Sequence, residues 1–524
     1  MDGRVPPHPQ PGGLRLVPRR LGGRCRGAAL GGGDRGLKGS AVPAAPLGSG
    51  GWRLGISRAF LQGSRFQAGP FLLRVFRASR CRMKKLAGIL AALCALAVAA
   101  ALVWLVRGGG LPSDPDAGVV FDAAGGHWPG WRGPGGTGLA REAAGADIAF
   151  ESARVLWKAE VDGWGNASPV VWGDRVFIAS AVGGPASLRR TLVSAVDRAD
   201  GRLVWTAVVP VLRRPLRPPA EQNGWATPTP ACNGRRLAVL FGTGTLACLG
   251  LNGAVAWTLD LGPIDHLWGL AASPAMDDRR VYVAVDQGRE SSAPSFVAAI
   301  DLVTGVPAWR AEIAPSGGRG YSSPLLLRDG TAPAVVLWAG DRLAAFDAGS
   351  GRRVWEVPTF AEIEPIATPL PVGDLLVLHQ SDRAMAWRAG PAGAALAWAR
   401  VAADGARFAR IAASVAVGGR LYGVTEQGGA VCHDAAAGTL LWTGKLGGAF
   451  FAAPVAAGGR VLFTERNGTI HVLKAGDRFE PTGALRPGGR TDASPAVAGG
   501  RLYLRTRSDA VGTILWCLGA GAGR

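Results

Sequence analysis

Short apolar runs bounded by turn residues recur from about residue 151 to the end of the chain. Each unit opens with a small residue and a proline, continues as an apolar strand, and usually reaches a second strand after Gly-Asp-Arg or Gly-Gly-Arg. The third strand ends at an aspartate and a glycine, and a tryptophan follows, as in Asp301, Gly305 and Trp309. The aspartate can accept backbone N–H bonds and the glycine supplies a positive φ, so this spacing predicts a tight turn between two strands. A unit of about 45 residues with four short strands is typical of one propeller blade.

The number of openings predicts the number of blades. We assign eight openings, to Ser168-Pro169, Thr227-Pro228, Ser273-Pro274, Ser323-Pro324, Thr368-Pro369, Ser414-Val415, Ala453-Pro454 and Ser494-Pro495. The tryptophans of the repeat are Trp157, Trp205, Trp257, Trp309, Trp355, Trp398 and Trp442. A large flat ring at this position can fill the wedge between twisted neighbouring blades.

One strand precedes the first opening. It contains Val155-Leu156-Trp157, whereas the last unit ends at Trp516-Cys517-Leu518 with no fourth strand of its own. We expect the early strand to complete the last blade, which removes the free sheet edge. The predicted fold class is therefore all-β: an eight-bladed β-propeller of four-stranded blades over residues 151–520, closed by an N-terminal strand.

The positive charge is concentrated at the start of the chain. Residues 1–82 carry 14 Arg and one Lys against two Asp, or +13 of the total of +20, and are rich in Gly and Pro without periodicity. We predict a disordered extension there. The other 442 residues carry only +7, so no nucleic-acid partner is expected for the folded domain.

Residues 83–107 are predicted to form a signal anchor. Met-Lys-Lys at 83–85 precedes an uncharged apolar run of 21 residues, 86–106, long enough to span a bilayer as a helix. This start is typical of a bacterial export signal, so our hypothesis is that Met83 is the natural start and that residues 1–82 are not translated. Ala-Val-Ala at 97–99 fits a cleavage site, but the run stays apolar beyond it, which favours an uncleaved helix. Basic residues before the helix then place a single-pass protein in the inner membrane, with the propeller in the periplasm or outside the cell.

Residues 108–150 are predicted to be a linker and a tryptophan-rich clasp. Trp128-Pro129-Gly130-Trp131-Arg132-Gly133-Pro134 is too specific for a linker and suggests a packed irregular segment. The seven cysteines form no CxxC pair, which gives no support to a zinc ribbon or a haem attachment site. Cys232 and Cys248 could pair in an exported blade, and the alternative is two buried thiols.

Residues just before each opening are expected at the mouth of the central channel. An aromatic and polar rim of this kind can hold a planar or polar ligand, although a solvated loop rim would show the same composition. The candidate ligand-binding residues are Asn166, Trp225, Trp268, Tyr321, Glu364, Arg410 and Asp492. No catalytic or metal-binding residues are predicted, because the turn explains the repeated aspartates and the histidines lie in different units without a metal or nucleophile motif.

The repeat A-x-D-x-x-x-G-x-x-x-W resembles the pyrroloquinoline quinone (PQQ) repeat of quinoprotein alcohol dehydrogenases and of the outer-membrane assembly lipoprotein BamB. The Trp-Pro-x-Trp-Arg-Gly-Pro clasp is similar to one in many PQQ-like bacterial proteins. The dehydrogenase branch implies an adjacent Cys-Cys disulfide over the quinone, Ca²⁺ held by Glu and Asn, and an Asp base. This chain has no adjacent cysteines, and no Ca²⁺ loop pattern occurs in its sequence.

The resemblance therefore implies a non-catalytic binding or scaffold module for an envelope protein, peptide or ligand, with no cofactor. The alternative is a PQQ- and Ca²⁺-dependent quinoprotein oxidoreductase that acts on alcohols or sugars. The longest predicted rim insertions are residues 211–223 and 288–295. The first carries Arg213, Arg214 and Arg217 and is the better candidate for an acidic partner.

Overall fold

Eight antiparallel sheets of four strands each make up the part of the chain that the structure describes. The computed structural model describes residues 126–140, 150–220, 222–314, 319–328, 333–360, 364–390, 393–402, 407–509 and 512–520. All of these belong to one unit, residues 104–524. The eight-bladed, four-stranded propeller architecture is confirmed.

The strands of the first four blades run outward from the centre of the ring in chain order. They are β2 (Val170–Trp172), β3 (Arg175–Val182), β4 (Arg190–Asp197) and β5 (Leu203–Val209) in blade 1; β6 (Ala231–Cys232), β7 (Arg236–Leu240), β8 (Thr245–Gly250) and β9 (Val255–Asp260) in blade 2; β10 (Ala275–Met276), β11 (Arg280–Val285), β12 (Phe296–Asp301) and β13 (Pro307–Glu312) in blade 3; and β14 (Leu325–Leu327), β15 (Ala334–Ala339), β16 (Arg342–Asp347) and β17 (Arg353–Pro358) in blade 4.

The remaining blades repeat this order, except that the last takes its outer strand from the start of the domain. They contain β18 (Leu370–Val372), β19 (Leu375–Gln380), β20 (Arg383–Gly390) and β21 (Gly393–Val401) in blade 5; β22 (Val415–Val417), β23 (Arg420–Val424), β24 (Gly429–Asp434) and β25 (Leu440–Lys445) in blade 6; β26 (Val455–Ala457), β27 (Arg460–Thr464), β28 (Ile470–Lys474) and β29 (Pro481–Leu485) in blade 7; and β30 (Ala496–Ala498), β31 (Arg501–Ser508), β32 (Gly512–Gly519) and β1 (Arg154–Asp162) in blade 8. Short 3₁₀ turns lie at Pro134–Gly136, Phe150–Ser152 and Pro185–Ser187.

The ring closes as predicted, by pairing of the first strand with the last. Strand β1 runs antiparallel to β32, with Trp157 opposite Cys517 and Glu160 opposite Ile514. The inward side of β1 is buried at Trp157, Ala159 and Val161. Because the outer strand of blade 8 comes from the other end of the domain, the two ends of the propeller are held in one sheet.

Each tryptophan of the repeat joins its blade to the next one. Every indole N–H donates to a backbone carbonyl of the following blade, at 2.9–3.2 Å: Trp157 to Arg198, Trp205 to Leu251, Trp257 to Leu302, Trp309 to Ala348, Trp355 to Gly390, Trp398 to Ala435 and Trp442 to Gly476. The predicted tryptophan docking between blades is confirmed. At the turn itself, Asp301 Oδ1 accepts from the backbone N–H groups of Val303 and Thr304 at 3.1 and 2.8 Å, so this aspartate has the structural role assigned to it.

The predicted disordered extension and transmembrane helix, residues 1–82 and 83–107, lie outside the described residues. Within the described residues, no helix has the length and apolar character needed to cross a membrane. The four described cysteines, Cys232, Cys248, Cys432 and Cys517, are buried thiols, so the suggested disulfide between the first two is wrong.

Candidate functional site

The clasp of residues 126–140 crosses the axis of the ring. On one side, Trp128 exchanges two backbone hydrogen bonds with Val171 of β2, at 2.9 and 3.0 Å, and Pro129 accepts one from Cys232 of β6. Further along the clasp, Ala140 donates to Ala456 of β26 in blade 7 at 2.8 Å. Trp131 reaches Thr368 at the start of blade 5, which lies opposite blade 1 in the ring. A segment that contacts both blade 1 and blade 5 lies across the channel that the inner strands surround. The clasp therefore closes one end of that channel.

Arg132 holds the clasp in its observed conformation. Its side chain is 2% exposed, its φ is +60°, and its guanidinium donates to the carbonyls of Gly136 and Thr137 at 3.0 Å and to Ser414 ahead of β22. Burial lowers the pKa of Arg132 to about 10, so the group stays protonated at neutral pH. One cation thus holds the clasp turn together and ties it to blade 6.

The closed channel leaves a central cavity of about 470 Å³. Trp131 of the clasp lines it, and the indole N–H of Trp131 donates to Thr368 Oγ1 of blade 5 at 3.0 Å. Six of the predicted candidates line the same cavity: Asn166, Trp268, Tyr321, Glu364, Arg410 and Asp492. Residues that are up to 326 positions apart in the chain are therefore brought to one place by the radial arrangement.

Trp225, the seventh candidate, does not line the cavity. It is 5% exposed and packs in the hydrophobic core formed by blades 1 and 2, where its indole faces the Gly184 carbonyl at 3.4 Å. Thr227 lines the cavity instead.

Trp225 does not reach the cavity because blade 2 opens at Thr229-Pro230, two residues later than predicted. The backbone N–H of Ser168 donates to Thr229 Oγ1, and that of Thr229 donates to Ser273 Oγ, both at 2.9 Å. These bonds make Thr229 the equivalent of the opening serines in blades 1 and 3. Counting back three residues from Pro230 gives Thr227.

Charges of both signs line the cavity, and they are not equally available. Asp492 is bound by Arg466 through two hydrogen bonds of 2.5 and 2.8 Å, and Arg466 also stacks on Phe451 at 4.1 Å. Glu364 and Arg410 have no hydrogen bond or ion pair with any other residue that the structure describes. The cavity therefore presents one carboxylate and one guanidinium to a ligand.

Tyr321 contributes a phenol ring to the lining of the cavity. Its hydroxyl is buried and makes no well-formed hydrogen bond within the described residues. Burial, followed by the negative charge of Glu364, raises the pKa of Tyr321 well above its usual value. The phenol is thus a neutral donor at physiological pH, held next to Glu364 because the Tyr321 N–H donates to Pro365 O at 2.7 Å.

An apolar rim lies beside the cavity mouth, on loops of blades 2 and 3. Leu216 and Leu267 are 60% and 47% exposed, and Trp268, which also lines the cavity, is 42% exposed. The two loops support each other, since Leu216 N–H donates to Ile264 O at 2.9 Å and Asn223 donates to Trp268 O at 2.8 Å. We call Leu216, Leu267 and Trp268 the rim patch.

The arginines of the 211–223 loop are less available than the sequence suggests. Arg213 is paired with Asp260 at 2.8 Å and Arg217 with Asp265. Only Arg214 of the three has no partner among the described residues. The loop is therefore more nearly neutral than its sequence indicates.

The cavity side chains do not fit the Ca²⁺ and quinone arrangement that the dehydrogenase resemblance implies. Among the described residues, no three His, Cys, Asp or Glu side chains are grouped so that they could hold a metal ion. Of the two carboxylates in the cavity, Asp492 is already bound by Arg466. Each described cysteine is buried within a blade and none lines the cavity.

Fold and repeat define this chain as a PQQ-like β-propeller. The family model described as outer membrane protein assembly factor BamB matches residues 103–247, 189–312, 242–418 and 385–515, and the chain belongs to this family. No curated protein sequence matches it significantly.

Solved structures share the fold at low sequence identity. BamB from Moraxella catarrhalis is 17% identical, with a TM-score of 0.53, over 71% of this chain and 99% of that one. Quinohemoprotein alcohol dehydrogenase from Comamonas testosteroni is 12% identical, with a TM-score of 0.59, over 76% and 81%. Quinohemoprotein alcohol dehydrogenase ADHIIG from Pseudomonas putida HK5 is 13% identical, with a TM-score of 0.55, over the same shares. At these identities the likeness is one of fold.

Proposed function

We propose that the protein is a non-catalytic binding module that holds a segment of an envelope protein at the open end of its central cavity. The observation that carries this proposal is the clasp. Because it closes one end of the channel, the cavity is accessible from the rim side, where the rim patch lies. An apolar rim that leads to a few unpaired polar groups is what a peptide segment with mixed side chains requires.

Two polar groups set the chemistry of the segment. Glu364 favours a basic side chain, and Arg410 favours an acidic one. Trp268 is of the residue type in which binding energy at protein interfaces is concentrated, and Leu216 and Leu267 extend the apolar surface around it.

The proposed binding partner places the protein in the cell envelope. The family model is described as an outer membrane protein assembly factor, which supports a role in the cell envelope. The apolar run at residues 86–106 then serves as the anchor to the inner membrane, with the propeller on the extracytoplasmic side.

Site-specific crosslinking in the native cell tests the proposal. A photoreactive phenylalanine derivative replaces Trp268 in one variant and Val401, 79% exposed on the outer strand of blade 5, in the control. We expect a protein adduct from position 268 only. The yield should fall when Glu364→Gln and Arg410→Gln are combined with the label. Equal labelling from both positions, or labelling from position 401 alone, would place the partner on a blade face and overturn the proposal.

A quinoprotein oxidoreductase acting on alcohols or sugars is the second candidate. Trp131 favours it, because a flat indole at the inner end of the cavity can stack on a planar ring. Purified protein incubated with PQQ and Ca²⁺ should show stoichiometric quinone absorbance and dye reduction if this candidate is right. The binding-module proposal expects neither.

A further inference from the structure

A second, smaller pocket lies at the seam where the ring closes. It has a volume of about 140 Å³ and is lined by residues of blade 8 and of the loop that leads into it, by the segment between β1 and β2, and by Gln222 of the loop between β5 and β6. Three arginines line it, Arg490, Arg505 and Arg507. Among the described lining residues Asp492 is the one carboxylate, and its two oxygens are taken by Arg466 at 2.5 and 2.8 Å.

Arg505 is the buried cation at the inner end of this pocket. It is 2% exposed and donates to the carbonyls of Ala179 and Ala167 at 2.6 and 3.3 Å and to Thr513 Oγ1 at 2.9 Å. All three partners are neutral. Burial lowers the pKa of Arg505 to about 9, which leaves it charged at neutral pH. A buried charge without a counter-ion is costly, and an anion in the pocket would remove that cost.

Two exposed arginines lie at the opening of the same pocket. The backbone N–H of Arg507 donates to Arg490 O at 2.7 Å, which sets the two residues side by side. The Arg507 guanidinium lies 4.5 Å from the ring centre of Trp164, so its plane is supported by an aromatic face. Neither arginine has a carboxylate partner among the described residues.

A hydroxyl group adds a neutral donor. Thr506 Oγ1 accepts the indole N–H of Trp516 at 2.8 Å, so its own proton is available to the pocket. Planar guanidinium groups match the geometry of phosphate oxygens in pairs, and hydroxyls complete the coordination of such oxygens.

We infer that the seam pocket binds a phosphate group, either as inorganic phosphate or as the headgroup of a phospholipid or phosphate monoester. The bound group would contact blade 8 and the segment that leads from β1 into blade 1. It therefore links the two ends of the domain and stabilises the closed ring by mass action. The seam pocket adjoins the central cavity, since Asn166, Gln222 and Asp492 line both, but Arg490, Arg505 and Arg507 line only the seam pocket.

Calorimetric titration of the full-length protein with inorganic phosphate, at constant ionic strength in chloride, tests the inference. Saturable binding with one phosphate per chain is expected, together with a rise in the unfolding temperature that chloride does not produce. Arg507→Gln and Arg490→Gln should each weaken phosphate binding about tenfold, because each removes one charged hydrogen-bonding group. Both side chains are exposed, so these variants are expected to fold. Arg352→Gln, an exposed arginine in the turn of blade 4, is the matched control and should bind as the original protein does.

Two further arms separate the sources of phosphate and the two sites. Binding to glycerol 1-phosphate and to phosphatidylglycerol vesicles that is lost in Arg507→Gln would identify a lipid headgroup. Binding of inorganic phosphate without vesicle binding would identify the free ion. Glu364→Gln, in the central cavity, should leave phosphate binding unchanged while it impairs the crosslink from position 268. No saturable phosphate binding, or equal binding by the original protein and the Arg490→Gln/Arg507→Gln double variant, would overturn the inference.

Discussion

Five of the seven repeat tryptophans pack against a turn glycine of the next blade, and this contact gives the sharpest test of how the ring is held together. At Gly351, φ is +73°, and a Cβ added there would lie 2.5 Å from Cδ2 and 2.8 Å from Cγ of Trp309. The same indole donates to Ala348 O at 3.0 Å. Gly351→Ala therefore has two costs: the left-handed backbone and displacement of a ring that joins blades 3 and 4.

The two costs can be separated with a matched glycine. Gly459 has a φ of +68°, and its added Cβ would meet nothing within 4 Å. Gly459→Ala should cost only the backbone term, about 1–2 kcal/mol. Gly351→Ala adds about 1–3 kcal/mol for overpacking, so its total should be about 2–5 kcal/mol.

Urea unfolding followed by far-UV circular dichroism measures both variants. In a Trp309→Leu background, where the ring is absent, the cost of Gly351→Ala should fall to that of Gly459→Ala. Equal costs for the two glycine variants in the original protein would refute the reasoning, since the tryptophan would then add nothing to the requirement for glycine.

Two further predictions concern closure and pH. Deletion of Arg154–Asp162 removes β1 and leaves the edge of β32 unpaired, so the shortened protein should lose its cooperative unfolding transition and aggregate in size-exclusion chromatography; an unchanged transition would contradict closure by this strand. His379 donates its Nδ1–H to Ala409 O at 2.8 Å and accepts the Ser414 N–H at Nε2 at 3.1 Å, and burial is the main reason that its pKa is lowered from 6.5 to about 4. Because the folded-state pKa is the lower one, this stability is present above pH 6.5 and is lost as the pH falls toward 4, by about 3 kcal/mol. Stability measured across that range should depend less on pH in His379→Gln than in the original protein, and an identical pH dependence would show that His379 does not titrate as described.

Much of the architecture follows from local rules that the sequence displays. The aspartate, glycine and tryptophan of each repeat lie within one hairpin and its following strand, so their spacing reports the blade directly. The strand around Trp157 could be assigned to the last blade because it precedes the first opening and the last unit lacks a fourth strand. Because these patterns are short-range and recur in each blade, the blades can be predicted from a single sequence.

The remaining features depend on contacts between distant residues. Thr227-Pro228 and Thr229-Pro230 are equally good openings in sequence, and only the hydrogen bonds from Ser168 and to Ser273 select the second. That choice moved Trp225 out of the predicted lining and Thr227 into it. The spacing of the neighbouring openings does not distinguish the two candidates, because blade lengths vary by more than two residues.

The position of the clasp across the channel and the ion pairs of the 211–223 loop also could not be predicted from local sequence patterns. Trp131 meets Thr368 across 237 positions, and no periodicity connects them. Likewise, Arg213 and Arg217 read as a basic loop until Asp260 and Asp265 are placed beside them by the neighbouring strand and loop. The sequence gives the number of charged residues in the loop, but only the folded structure shows which of them form ion pairs.

Hydrogen–deuterium exchange of the clasp tests most directly whether the central channel is closed at one end. The account predicts slow exchange at the amides of Trp128 and Ala140, which donate to Val171 of β2 and Ala456 of β26, and at that of Gly138, which donates to Arg132 within the clasp. All three should exchange as slowly as the amides of β2 and β26. Exchange of these amides at the rate of an unstructured peptide, while the blades stay protected, would show an open channel and contradict both the closed cavity and the binding site proposed on it.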